Sequence, residues 1–193
     1  MRKIYYLVLV IMLGCISCEW QFIMSDEEDE TVAVDRYDRI QSLYLTTGDF
    51  SALQQMNTVF PMQTRTLIED VLRIGKVNDP EINKTFLRFY QDTTLQALIA
   101  ETQQQYASMD DINEQLTQAF RYLRKHIPNF DMPEVYAQIG SLDQSVIVGN
   151  NTIGICLDKY LGEDYPLYQK PQYGYSAEQL QLMSRSLDRK SVV

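Results

Sequence analysis

The chain has 193 residues, with 17 basic against 26 acidic side chains, a formal charge of −9, and a single histidine. That balance leaves no broad basic footprint for a phosphate backbone, so no nucleic-acid partner is expected, and one imidazole cannot make a two-histidine zinc site. With 45% hydrophobic residues, including 13 Tyr and 7 Phe, and only 8 Gly and 6 Pro, the chain can build a packed core and is not a disordered acidic tail.

Residues 1–18, MRKIYYLVLVIMLGCISC, begin with basic Arg2 and Lys3, continue as an apolar run over 4–13, and end in small residues around cysteine. This is the layout of an export signal. The apolar run is shorter than the roughly 20 residues a membrane-spanning helix needs, which disfavours a retained span. Ile16-Ser17-Cys18 places a small residue directly before a thiol and resembles the processing site of bacterial lipoproteins, with Cys18 as the lipidated residue. Met12-Leu13-Gly14-Cys15 is a weaker copy of the pattern, so Cys15 is second choice. A secretory signal with incidental or disulfide-forming cysteines is the bland alternative. The three acyl chains typical of the modification exceed the two-signal threshold for stable membrane anchoring. Residues 1–17 are therefore read as signal peptide and 18–34 as lipidated cysteine plus tether. Removing Arg2 and Lys3 leaves 15 basic and 26 acidic residues, a charge of −11. Asp26-Glu27-Glu28-Asp29-Glu30 repels itself and suits an extended tether. Such acids also resemble surface-export signals of Bacteroidetes lipoproteins, but they begin eight residues after Cys18, and the tether is the preferred reading.

From residue 35 the apolar spacing predicts helices. Tyr37, Ile40 and Tyr44 form one stripe, and Leu67, Ile68, Val71 and Leu72 a second, with Gly75 as its stop. Asp79-Pro80 predicts a capped start for a third helix carrying Ile82, Phe86, Phe89 and Tyr90. Leu95, Leu98, Ile99, Thr102 and Tyr106 make the fourth. Asp111 with Glu114 resembles a capping box opening a fifth, whose Leu116, Phe120 and Leu123 face inward and which ends before Pro128. The period then changes to that of strands: Val135 to Ile139, Ser145 to Val148, and Thr152 to Leu157, the last two joined by a hairpin turn at Gly149-Asn150-Asn151. Ser176 caps a final helix with Leu180, Met183 and Leu187. The expected class is α+β: amphipathic helices, a small antiparallel sheet and a further helix.

The chemical inventory is sparse. His126, beside Arg121, Arg124 and Lys125, is best read as a cation at a helix carbonyl end. Cys156, between Ile155 and Leu157, reads as a small core residue and not as a nucleophile. Neither a G-x-S-x-G elbow nor a phosphate-binding glycine loop occurs. The distinctive segment is 157–175, rich in Tyr and Pro. Asp158 can accept hydrogen bonds from its tyrosines, and Glu163 and Asp164 can add oxygens for a cation, although no EF-hand alternation is present. A tyrosine-rich loop packed across the sheet with its phenols reaching solvent is the preferred reading. Because tyrosine is enriched at interfaces, Asp158, Tyr160, Tyr165, Tyr168 and Tyr173 are the candidate interaction loop. No catalytic residue, metal ligand or cofactor site is assigned.

His126-Ile127-Pro128-Asn129-Phe130-Asp131-Met132-Pro133-Glu134-Val135-Tyr136, then Ile153-Gly154-Ile155-Cys156-Leu157-Asp158-Lys159-Tyr160-Leu161-Gly162 and Tyr165-Pro166-Leu167-Tyr168, resemble the GldB family, gliding-motility-associated lipoproteins of Bacteroidetes. The resemblance covers about residues 36–187. It implies an envelope lipoprotein, held to the membrane through its N-terminal lipid and accessory to the motility or secretion apparatus, with envelope or motility proteins as partners. The arrangement is also similar to zincin peptidases, which carry H-E-x-x-H on a helix after the sheet. Residues 176–187 contain no histidine, so a non-catalytic relative is preferred over a metallopeptidase whose catalytic helix is missing. GldB-like chains continue further than this one, and 188–193 break the preceding pattern. The domain is placed at 35–187, incomplete, followed by a tail of foreign or truncated origin.

Overall fold

The computed structural model describes residues 31–172 and 174–183. The cysteines of the lipoprotein motif, the acidic run, Tyr173, Leu187 and the 188–193 tail lie outside these residues. All described elements belong to the compact unit Val32–Val193. In chain order they are α1 (Tyr37–Thr47), α2 (Phe50–Thr58), α3 (Pro61–Thr66), a π turn (Leu67–Val71), α4 (Ile82–Phe89), α5 (Thr93–Gln105), α6 (Asp110–His126), β1 (Glu134–Gln138), β2 (Val146–Val148), β3 (Thr152–Cys156), a 3-10 turn (Leu157–Lys159) and α7 (Ala177–Leu182). The class is α+β, as expected.

The helices bury the predicted stripes. Tyr37, Tyr44, Leu67, Ile68, Val71, Leu72, Ile82, Phe86 and Tyr90 lie in one hydrophobic core with Tyr136 and Ile139. Leu98, Tyr106, Ile112 and Phe120 lie in a second with Val135, Ala137, Leu157 and Tyr168. Local start signals hold where a side chain can reach an unpaired N–H. Asp49 Oδ1 accepts from Ala52 N at 2.9 Å, Asp92 Oδ1 from Thr94 N at 2.8 Å, and Ser176 with Gln179 forms a complete capping box.

Two predicted starts are corrected. Asp79 accepts from Glu81 N and closes a turn before α4, which opens at Ile82. The box expected from Asp111 and Glu114 is replaced by Ser108, whose hydroxyl accepts from Asp110 N at 3.1 Å one turn earlier. The second stripe is also not a plain α-helix. Leu72 N–H donates to Leu67 O five residues back, and the widened turn lets Leu67, Ile68, Val71 and Leu72 all face inward. Arg73, at φ 54°, ends it ahead of Gly75.

The sheet differs from expectation in one respect. β2 and β3 form the predicted antiparallel hairpin, with Ile147 opposite Gly154, but β1 pairs with β3 in parallel, Tyr136 opposite Gly154. The sheet is therefore mixed, in the order β1-β3-β2. The connection 139–145 makes this possible: it passes across the C-terminal end of β3 and needs to span only two strand spacings, about 10 Å. β1 thus lies inside the domain. From Val135 to Gln138 every residue is buried, because Tyr136 faces the first core while Val135 and Ala137 face the second. Asp35 adds a parallel bridge to Tyr136 on the outer side of β1.

The centre of the sheet depends on a close approach. The Tyr136 ring lies over Gly154, where an added Cβ would stand 2.5 Å from the ring carbon Cζ. Glycine in a strand weakens it intrinsically, and here it leaves room for an aromatic ring to cover the gap. Substituting Gly154→Ala should lower unfolding stability by about 1–3 kcal/mol through overpacking. Chemical denaturation of the variant checks this, and Gly162→Ala, where a Cβ meets nothing within 4 Å but φ is +110°, separates backbone strain from ring displacement.

Candidate functional site

The most organised polar cluster lies where the tyrosine-rich segment leaves β3. Asp158, in the 3-10 turn, is wholly buried, and each carboxylate oxygen accepts a main-chain N–H: Oδ1 from Gly140 at 2.7 Å and Oδ2 from Leu142 at 2.6 Å. Ser141 and Leu142 both have positive φ, 54° and 70°, so the chain wraps around the carboxylate as a small anion-binding nest. The adjacent Lys159 is also buried. Its ammonium donates to Leu142 O at 3.1 Å and to the Tyr175 hydroxyl at 2.8 Å, and lies 4.3 Å from the centre of the Tyr175 ring.

The phenols bind main chain. Tyr168 hydroxyl donates to Asp158 O and accepts from Leu161 N at 3.1 Å, while Tyr106, which caps the C-terminal end of α5, donates to Tyr160 O. Tyr168 packs edge-on against Tyr165 and Tyr175, with ring centres 5.0 and 6.0 Å apart. The loop is thus tied to the sheet, to α5 and to the crossover 139–145.

This geometry corrects the expected hydrogen bonding. The Asp158 carboxylate is held by main-chain amides, not by tyrosine hydroxyls, and the Tyr168 phenol points inward, not to solvent. Of the candidate interaction residues, Asp158 and Tyr168 are buried and Tyr160 and Tyr165 half-buried, whereas Tyr173 lies outside the described residues. Glu163 and Asp164 are exposed and contribute nothing to this cluster. No group of three or more His, Cys, Asp or Glu able to hold a metal occurs among the described residues. Sequence reasoning missed Lys159, Tyr106 and the two amide donors. Lys159 carried a signal, an opposite charge adjoining Asp158 just past an apolar strand; a main-chain N–H carries none.

The remaining candidates are also committed to structure. Cys156 is fully buried and receives a hydrogen bond from Gln138 Nε2 at 3.3 Å, and burial pushes its thiol far above the usual range, with the nearby Asp158 charge adding to the effect. Such a thiol is a poor nucleophile. His126 sits at the end of α6 with Nδ1 2.7 Å from Tyr122 O, stacked on the Tyr122 ring at 4.0 Å.

The polar cluster, the strand preceding it and the helix end all fall within one recognisable pattern: the model of the family described as gliding motility protein GldB matches residues 18–185. The chain belongs to the GldB family. The match begins at Cys18 and takes in every element from α1 to α7. No curated protein and no solved structure matches the chain, so the likeness to zincins has no structural neighbour behind it.

Two measurements test the cluster as a clamp. Burial pushes the Asp158 carboxyl from 3.8 up to about 6, against the opposing pull of the Gly140 and Leu142 amides and the Lys159 ammonium. A raised native pKa means that the folded state holds the proton more firmly between these values. Stability should therefore fall as pH rises from 4 to 6, by on the order of 3 kcal/mol from this group. Comparing unfolding of the native chain with Asp158→Asn across that window should show this slope in the first and not in the second. Tyr168→Phe, which removes two buried hydrogen bonds and leaves the ring, should cost about 1–3 kcal/mol in denaturant titration.

Proposed function

We propose that this member of the GldB family is a lipid-anchored, non-catalytic envelope lipoprotein accessory to gliding motility or to the envelope secretion apparatus. The observation that carries the reading is the extent of the family match, which starts at Cys18, the residue that the sequence marks for acylation. Among the described residues, the side chains best suited to chemistry are engaged in holding the fold: Asp158 by two amides, Cys156 by burial, and His126 at a helix end. Those engagements favour a scaffold over an enzyme. No described helix is long and apolar enough to cross a membrane, and the proposed attachment is the lipid on Cys18. The half-buried Tyr160 and Tyr165 present the accessible part of the tyrosine loop to an envelope protein.

Metabolic labelling with a tagged palmitate should mark the native chain and Cys15→Ser but not Cys18→Ser. Labelling retained in Cys18→Ser, or absent from the native chain, would remove the anchor from the proposal. In a gliding host lacking its own family member, the native chain should restore colony spreading and Cys18→Ser should not.

A further inference from the structure

The C-terminal end of α6 carries charge opposite to that of the chain as a whole. Arg121, Arg124 and Lys125 fall within five residues of a chain whose net charge is −9, and all three are exposed. Among them stand two exposed apolar side chains, Tyr122 at 63% and Ile127 at 45%. The Tyr122 ring is held in place by its stack on His126. Cations at the end of a helix are favoured by its dipole, and that accounts for the basic residues. It does not account for an aromatic ring and an isoleucine left in solvent beside them. Basic side chains interleaved with Tyr and an aliphatic residue are the composition of surfaces that rest at a lipid headgroup layer.

A second observation places this end of the domain. Val34 N–H donates to Asn113 Oδ1 at 3.0 Å and Val32 N–H to Thr117 Oγ1 at 2.8 Å. Asn113 and Thr117 are one helical turn apart, and the same stripe continues through Arg121 and Arg124. The chain therefore enters the domain along the face of α6 that carries Arg121 and Arg124, and from Val34 back to Val32 it runs toward the C-terminal end of the helix, which lies about 14 Å beyond Thr117. Val32 lies fourteen positions after Cys18, a reach of at most about 50 Å. An acylated Cys18 would keep this helix end within roughly 65 Å of a bilayer, where even a weak surface attraction is enhanced by tethering.

We propose that the C-terminal end of α6, through Arg121, Arg124, Lys125, Tyr122 and Ile127, is a docking surface for anionic lipid headgroups and orients the domain on the membrane to which it is anchored. The orienting role rests on the acylation reading above; the headgroup affinity does not. Each cation near an anionic surface contributes a factor of about five in affinity.

The test uses a chain beginning at residue 18 with Cys18→Ser, so that neither signal peptide nor acyl chain contributes. The described residues of both hydrophobic cores lie between Val32 and Met183, and this chain keeps all of them. Co-sedimentation with vesicles containing 30% phosphatidylglycerol should show binding at low salt that is lost in 0.5 M salt and is absent with pure phosphatidylcholine. Arg124→Glu with Lys125→Glu should weaken it at least tenfold with an unchanged circular dichroism spectrum, and Tyr122→Ser should weaken it with all charges retained. Absence of phosphatidylglycerol-dependent binding, or equal binding by the charge-reversed variant, overturns the proposal. Binding of a hexaglutamate peptide in place of vesicles would also overturn it, assigning the surface to an acidic polypeptide. Loss of palmitate labelling with vesicle binding intact would remove only the orienting role.

Discussion

The fold turns on one carboxylate. A mixed sheet in the order β1-β3-β2 requires the chain to leave β1, pass over the end of β3 and return as β2, and such a passage exposes amides that no strand can pair. Asp158, emerging from the very strand that is crossed, supplies both acceptors. One side chain thus satisfies the crossover, fixes the left-handed backbone at Ser141 and Leu142, and sets the direction in which residues 159–175 depart. An isolated buried charge is costly, and the two short amide bonds, with the Lys159 ammonium tied to the same crossover, are what make it tolerable.

Around that clamp the domain is arranged as two cores separated by a sheet one strand deep at its centre. β1 belongs to both cores, which explains why its residues are buried on both faces although the sheet has only three strands. Tyr90 reinforces the arrangement from the helical side: its hydroxyl donates to Ile139 O at 2.7 Å, and Gln41 brackets the same residue with bonds to its carbonyl and amide. The start and the middle of the crossover are held from opposite cores, Ile139 by Gln41 of α1 and by Tyr90 at the end of α4, and Leu142 by the turn after β3. The site is therefore stiff where the sequence looked like a loop.

The sequence told more about elements than about their partners. Helical stripes such as Leu98, Ile99 and Thr102 were legible because burial repeats with the helical period. Residues 50–66, which form α2 and α3, were not, because Phe50, Val59 and Met62 are exposed and blur any stripe. The strands were visible as alternation, and the hairpin as a turn signal, but alternation does not say which strand lies beside which. Parallel pairing of β1 with β3 follows from a tertiary clamp, not from local pattern. At the candidate site, Asp158 was recognisable as an acceptor; its true donors are amides of Gly140 and Leu142, and Leu142 occupies a backbone region where a sequence reader expects glycine or asparagine.

The way the chain enters the domain governs how it would carry load. Val32 and Val34 are bonded to α6, and Asp35 is zipped to β1 through Asp35 N to Val135 O at 2.8 Å and Ala137 N to Asp35 O at 2.9 Å. A pull on the N-terminus along this segment strains those bonds together and lengthwise, in shear, instead of peeling them one at a time. Because β1 is the strand shared by both cores, tension applied from the N-terminal side would pass directly into the centre of the domain, leaving the tyrosine-rich loop outside the line of force.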